Sequence, residues 1–450
     1  MGYTAVKDNK SEVLLTGKPL PTLLKFAFPI ILGNIFQQLY NIVDAIVVGR
    51  FLGDLPLAGI SIATPVMDIL YALILGATIG VGVLVGQLCG AGEWEKLKTA
   101  HATALLGGSA VTFGLTVLGL LFSKKILLAQ GNSEAACTQA MAYLTVILVG
   151  LIFCYLYNYY ASVLRSYGDS RTPFVVLLVS STLHALLDVL LCGVLQMGIH
   201  GVAYSTVFCQ LFSSVWLIAY TRRHYPRLSL GRAALRVDVR MGKMLLGFAW
   251  AAALQQAVVC IGRLLVQGTL TDLGEKVVTG YNMGMRAEQF LFCFSQGIAA
   301  AMVVCLSQNL GHGDKARVQR FYYVALGVEF AMTVLLGTMC ALFPRQIIGV
   351  FSTDDTVIAA GAQYTGTMAF LYLFAFFGES IQSFFRGLGR LRLTMIASLL
   401  QVIIRVILSY LLVPRWGITG ICVSVATGWI LLNLIEGAYS LKKAKQLTKT

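Results

Sequence analysis

Apolar residues in this chain run in long unbroken stretches, and polar residues gather in short breaks between them. Twelve stretches stand out, at residues 22–50, 57–87, 99–122, 138–163, 173–195, 201–221, 245–270, 278–307, 318–342, 359–384, 394–413 and 420–441. A helix needs ~20 apolar residues to cross about 30 Å of hydrocarbon. Membrane-crossing strands would alternate over segments of ~10 residues, and that pattern is missing. The chain is therefore expected to be an all-α polytopic membrane protein with twelve transmembrane helices. The first, second, seventh and eighth stretches are long enough to tilt or bend.

The longest polar break is "RRHYPRLSLGRAALRVDVRMGK", from Arg222 to Lys243. It separates two sets of six spans, and the sets match at a constant offset of 221. Gly53 pairs with Gly274, Gly59 with Gly280, Gly76 with Gly297, Gln87 with Gln308, Gly92 with Gly313, Arg165 with Arg386 and Gly168 with Gly389. Repeats with an even number of spans share one orientation, so their pseudo-twofold axis runs along the membrane normal. The expected organisation is an N-terminal tail (1–21), an N-lobe (22–221), a basic linker (222–244), a C-lobe (245–441) and a C-terminal tail (442–450). Two six-helix lobes flanking a cleft is a secondary-transporter architecture. Gly76, Gly80, Gly82, Gly86 and Gly90 in span 2 let another helix approach closely or permit bending.

Composition agrees: 57% of residues are hydrophobic and 12% charged, against about 25% charged in soluble domains. With both termini in the cytoplasm, 25 Lys and Arg residues fall on inner loops and tails, six fall outside, and Arg263, Arg286 and Arg405 lie within spans. That bias follows the positive-inside rule. It assigns the net charge of +14 to loops facing anionic lipid rather than to nucleic acid. The expected location is the inner cell membrane. The ten cysteines include no CxxC pair and lie mostly in apolar runs, which suits core packing. A membrane enzyme would need an acid–base or metal cluster at a membrane face. "GHGDKAR" offers only His312 and Asp314, so no enzyme is expected.

Several motifs resemble the multidrug and toxic compound extrusion (MATE) family over essentially the whole chain. They are "NIVDAIVVGRFLG", "VGQLCGAGEWEKL", "VLRSYGDSRTP", "LHALLDVLL", "GIHGVAYST" and "LSQNLGHGDKARV", in this order. The resemblance implies export of bulky amphipathic compounds by alternating access, driven by inward H⁺ or Na⁺, without ATP or another cofactor. The chain has no Walker A signature, in keeping with that. Expected partners are small-molecule substrates and the lipid bilayer, with no nucleic acid. One chain carrying both lobes is sufficient as a monomer.

Asp44 and Asp188 fall in the outer halves of spans 1 and 5. A carboxylate within a span costs ~2.5–3.5 kcal/mol on insertion scales, so two in one lobe must pair, face a cavity or work. Burial disfavours the charged form of a carboxyl, which fits a group that binds and releases a coupling proton. In the DinF-like branch that the N-lobe resembles, the site uses an Asp of span 1, an Asn and an Asp one turn apart in span 5, and a Thr of span 6. Asp44, Asp188 and Thr206 match, whereas His184 stands at the Asn position. Imidazole titrates near neutral pH, so the departure favours H⁺, with Na⁺ at Asp44 and Asp188 as the alternative. No other metal site is expected.

The C-lobe departs from the NorM-like pattern of a Glu in span 7 and an Asp in span 10. Span 7 has Gln255 and Gln256, and the acid of span 10, Glu379, comes about a turn late. Candidates for the substrate cavity are Tyr155, Asn158 and Tyr159 in span 4, Gln256 and Arg263 in span 7, Arg286 and Glu288 in span 8, and Arg405 in span 11. Arg405 and Glu288 are expected to pair. Helix packing is the alternative for the span 4 aromatics. The competing function is a flippase for a lipid-linked oligosaccharide or another anionic lipid.

Overall fold

The computed structural model describes residues 9–129, 133–230, 236–270 and 273–447. Parts of the expected tails and linker lie outside these residues. The first seven spans are Pro19–Phe51, Asp54–Ala91, Trp94–Ala129, Glu134–Ser166, Arg171–Asp188 continued by Val189–Val194, Ile199–His224 and Val239–Gly268. Spans 8 and 9 are Glu275–His312 and Lys315–Leu342. Span 10 is a bent pair, Asp355–Met368 and Tyr372–Gly387, meeting at 57°. Spans 11 and 12 form one helical run, Leu391–Leu447, which breaks at Gly417 (φ 54°, ψ −132°) three residues after Pro414. Counted this way, the twelve expected spans are all present, and no strand occurs among the described residues.

Two departures from the hydropathy pattern matter for the site. Span 5 changes from α to π winding immediately after Asp188, over Val189–Val194, and Leu195 N–H donates to Leu190 O at 2.9 Å. Single π turns inside α-helices often mark functional positions. The expected N-terminal tail contains a short helix, Asn9–Thr16. Leu14 is buried there, and its carbonyl accepts from Asn309 at 3.2 Å and from Arg317 at 3.3 Å.

The repeat is visible in the backbone. Gly53 and Gly274, Gly92 and Gly313, and Gly168 and Gly389 all have positive φ, between 68° and 104°. Side chains other than glycine rarely adopt that conformation, which explains why these positions match across the halves. Beyond span 5 the register changes. Asp188 and Ser409 are still 221 apart, but Gly198 and Gly417 are 219 apart, as are Tyr220 and Tyr439.

The chain divides into two compact units, Leu32–Ala253 and Met1–Ile31 with Leu254–Thr450. The divisions fall inside spans 1 and 7 rather than in the polar linker. In the first unit one core cluster joins Leu97, Tyr155, Tyr159, Tyr160 and Tyr167, and a second joins Leu127, Leu144, Ile147 and Cys192. Gly76 and Gly80 leave no room for a Cβ against the backbone of Ala252 and Phe248. They act as a close-packing seam between helices. In the second unit one core joins Phe321, Phe384 and Phe385, and another joins Tyr364, Tyr372 and Phe376. Nine cysteines are buried and Cys260 is half-buried.

Candidate cation-coupling site

The four site residues singled out in the N-terminal half converge. Span 5 presents His184 and Asp188 one turn apart, on one helix face. Asp188 is fully buried and His184 is 4% exposed. His184 Nδ1 lies 2.7 Å from Asp188 Oδ2. From span 6, Ser205 donates to Asp188 Oδ1, and Thr206 Oγ1 lies 2.9 Å from His184 Nε2. Span 1 contributes Asp44, half-buried, and Tyr40 one turn earlier. Tyr40 Oη is 3.0 Å from each ring nitrogen of His184, and the two rings meet edge to face at 4.9 Å. Asp44, His184 and Asp188 each offer a ligand atom, all within 4.8 Å of one another. The cluster lies wholly within the first unit.

This arrangement has a definite hydrogen-bond logic. Asp188 Oδ1 accepts the Ser205 hydroxyl, and Oδ2 lies close to His184 Nδ1 without a hydrogen bond of regular geometry. Asp44 Oδ1 has no hydrogen-bond partner. Two carboxylates this close cannot both stay ionised without compensation, and a single imidazole compensates at most one. Asp44 Oδ1 and Asp188 Oδ2, neither of them hydrogen-bonded, are the oxygens open to a proton or cation. The donor set is mixed. A hard cation favours carboxylate, carbonyl and hydroxyl oxygen, and the imidazole occupies the middle of this group. Tyr40 and Ser205 were missed by sequence reasoning. The available signals were local: Tyr40 stands four residues before Asp44, and Ser205 directly precedes Thr206.

The other candidates are dispersed. Tyr155 is 5% exposed and donates to Ala104 O at 2.7 Å. Tyr159 is fully buried, donates to His101 O at 2.9 Å and stacks on His101. Asn158 donates to Cys154 O at 2.9 Å. The two tyrosines thus sit in helix packing with their hydroxyls held by backbone. In the second unit Arg263 and Arg286 are exposed, and Gln256 and Arg405 are half-buried. Glu288 accepts a hydrogen bond from Tyr364 at 2.6 Å. No ion pair within 4.0 Å joins Glu288 to Arg405 among the described residues; the tyrosine of span 10 takes the place expected for the arginine. Arg405 and Arg263 remain within electrostatic range of Glu288.

Comparison with known proteins fits this architecture. The MatE family model matches twice, at residues 29–190 and 251–411, one match in each half of the repeat. The "Probable multidrug resistance protein YoeA" of Bacillus subtilis (strain 168) is 25% identical over 438 residues, covering 94% of each chain. The "FAD transporter" of Shewanella oneidensis is 25% identical over 346 residues, 75% of each chain. Among solved structures, the outward-facing conformation of a multidrug resistance MATE family transporter of the MOP superfamily superposes with TM-score 0.91. It covers 98% of this chain and 99% of that one at 20% identity, a likeness of fold. With both halves matched by the family model and twelve spans in the same fold, the chain belongs to the multidrug and toxic compound extrusion (MATE) family and is a multi-pass membrane transporter, not an enzyme.

Proposed function

We propose that the chain exports amphipathic organic compounds by alternating access, driven by H⁺ entering through the cluster of Asp44, His184, Asp188 and Thr206. The observation that carries this reading is the meeting of two carboxyls and an imidazole within 4.8 Å, around a carboxylate with no exposed surface. With both termini cytoplasmic, the cluster lies in the outer half of its unit, where an external proton reaches it first. Protonation of Asp44 removes the charge repulsion with Asp188, and return of the charge restores it. His184 positions Asp188 through Nδ1 while its far nitrogen meets Thr206 and Tyr40. Na⁺ would take the same carboxylates, but the imidazole disfavours it.

The test is dye efflux from cells lacking their own pumps, comparing wild type with Asp188→Asn at two external pH values, with and without Na⁺. Export that follows the proton gradient and is lost in the variant supports the proposal. Undiminished export by Asp188→Asn at wild-type expression would sink it.

A cargo carrying negative charge is the second part of the reading. Arg263, Arg286 and Arg405 lie within apolar stretches of the second unit, and the nearby Glu288 is taken up by Tyr364. The relative described as an FAD transporter fits such a preference. A paired screen of cationic and anionic dyes tests it, and export of cations alone would contradict it.

A further inference from the structure

The short helix ahead of span 1 is fastened within the second unit by its carbonyl end. Like any helix, Asn9–Thr16 leaves its last carbonyls without partners of its own. Two side chains take them up, one from the end of span 8 and one from the start of span 9. Asn309 Nδ2 donates to Leu14 O at 3.2 Å. Arg317 Nη2 donates to Leu14 O at 3.3 Å and also to Gly17 O. A guanidinium here also meets the negative end of the helix dipole. Asn309 is steadied by a second bond, to Cys305 O at 2.7 Å, and Arg317 lies over the Phe321 ring at 5.1 Å. Leu14 is 2% exposed and shares a core with Leu23, Phe26, Leu306, Val318 and Phe321. A Cβ at Gly17 would stand 2.4 Å from Thr22 Oγ1 and 2.8 Å from Val13 O, so this close turn requires a glycine.

The hold is specific at the carbonyls and slight elsewhere. Glu12, Val13 and Thr16 are exposed, and among residues 12–17 Leu14 alone is fully buried. At the seat, Asn309 is fully buried with Oδ1 unpartnered, and Arg317 Nε is buried without a partner. Docking thus keeps two polar atoms dry that water would satisfy on release. That penalty works against the gain from burying Leu14. Segments with few buried apolar contacts open locally at little cost. The first unit does not repeat the seat at the matched positions. The residues 221 earlier are Leu88 and Lys96. The leucine side chain has no donor, and Lys96 pairs with Glu93 at 2.8 Å.

We propose that residues 9–17 form a latch that docks on and releases from the ends of spans 8 and 9, held shut by Asn309 and Arg317. The structure shows the shut state. In the orientation proposed above, the latch lies on the cytoplasmic face. Release hydrates Asn309 and Arg317 and leaves the start of span 1 packed on the second unit through Leu23 and Phe26 alone. A tail that fastens to one unit gives the transporter a contact whose occupancy can differ between the states of alternating access, as a segment with two arrangements of similar energy does.

The measurement is alkylation of the full-length protein carrying Leu14→Cys by N-ethylmaleimide, read at that residue by mass spectrometry. Slow alkylation is expected, becoming several-fold faster once Arg317→Ala is added. Lys96→Ala, at the matched position of the first unit, is expected to leave the rate unchanged, and an equal acceleration there would overturn the role of the seat. Alkylation as fast as that of Thr16→Cys, an exposed position, would mean that the helix never docks. No alkylation with or without Arg317→Ala would mean that it never releases, and either result overturns the proposal. Should Leu14→Cys fail to fold, a nitroxide on Val13→Cys replaces it. Two spectral components are expected, the mobile one growing on Arg317→Ala, and a single component unaltered by that substitution would overturn the latch. Neither readout involves transport, so failure here leaves the role of the Asp44 cluster standing.

Discussion

The two units share a fold and differ in where they bury charge. In the first, Asp44, His184 and Asp188 stand together. The positions 221 residues on hold Leu265, Arg405 and Ser409. In the second, Glu329 and Glu379 are buried or half-buried, and their counterparts are Gly108 and Asn158. Glu436, in the register that follows the shift after span 5, corresponds to Leu217. None of these acids is matched by an acid of the other unit. A duplicated helix bundle therefore keeps its backbone joints, as the positive-φ glycine pairs show, while its ionisable groups are redistributed. Backbone geometry tolerates little exchange at such joints. A carboxyl can sit on any helix whose neighbours offer a donor or whose environment keeps it protonated.

Five substitutions test this asymmetry. The largest effect is expected from Asp188→Asn, with loss of export about tenfold or more, equivalent to ~1.4 kcal/mol of lost driving interaction. Ser409→Ala, at the matched position of the other unit, is expected to leave export near wild type. Equal losses in both variants, by initial efflux rate, would erase the distinction. Next comes His184→Asn, which replaces the titratable ring with the amide that the family pattern carries. Export is expected to persist but to gain dependence on external Na⁺ and lose part of its dependence on pH. A variant with an unaltered ion profile would remove His184 from the coupling argument.

Stability probes are expected to give smaller changes. Tyr364→Phe strips Glu288 of the hydrogen bond from Tyr364, and such bonds contribute about 0.5–1.5 kcal/mol net. The melting temperature should fall at neutral pH, and no change would mean Glu288 finds another donor. Asp354→Ala is expected to lower the melting temperature slightly, as loss of a helix cap does. Asp354 caps the helix Asp355–Met368 through the amides of Thr356 and Val357 at 2.8 and 3.2 Å and pairs with Lys276 at 2.9 Å. Those contacts hold its carboxyl below the usual carboxylate range. The sign follows: its contribution is present above the unfolded-state value and fades as pH falls through the lower folded-state value. The wild type and Asp354→Ala should therefore converge in acid. A gap that widened as pH fell would contradict the assignment.

The spans were legible because hydrocarbon imposes length and polarity on every helix alike. Asp44 and Asp188 were legible by the same logic, since an acid in an apolar run is conspicuous. What the sequence hid were local relations. Span 10 reads as one stretch yet bends by 57°, and hydropathy carries no term for direction. Tyr40 and Ser205 look like ordinary helix residues until His184 and Asp188 are seen between them. Glu329 and Glu436 each stand alone in an apolar run, and only the folded structure shows both to be fully buried. The expected Arg405–Glu288 pair failed for a related reason. Charge complementarity suggested the arginine, and Tyr364 was closer.

The wide turn after Asp188 can also be understood as a matter of length. Between Asp188 and Gly198 the first half of the chain holds two more residues than the second half does between Ser409 and Gly417. The π winding over Val189–Val194 falls in that interval, where it takes up surplus chain without unravelling the helix. Trimming one residue there should restore ordinary α winding and shift Ser205 and Thr206 relative to Asp188 and His184. The helix would become more regular while the cluster lost its alignment. On this account, the irregular turn takes up the difference in length between the halves, and the alignment of the coupling group depends on that offset.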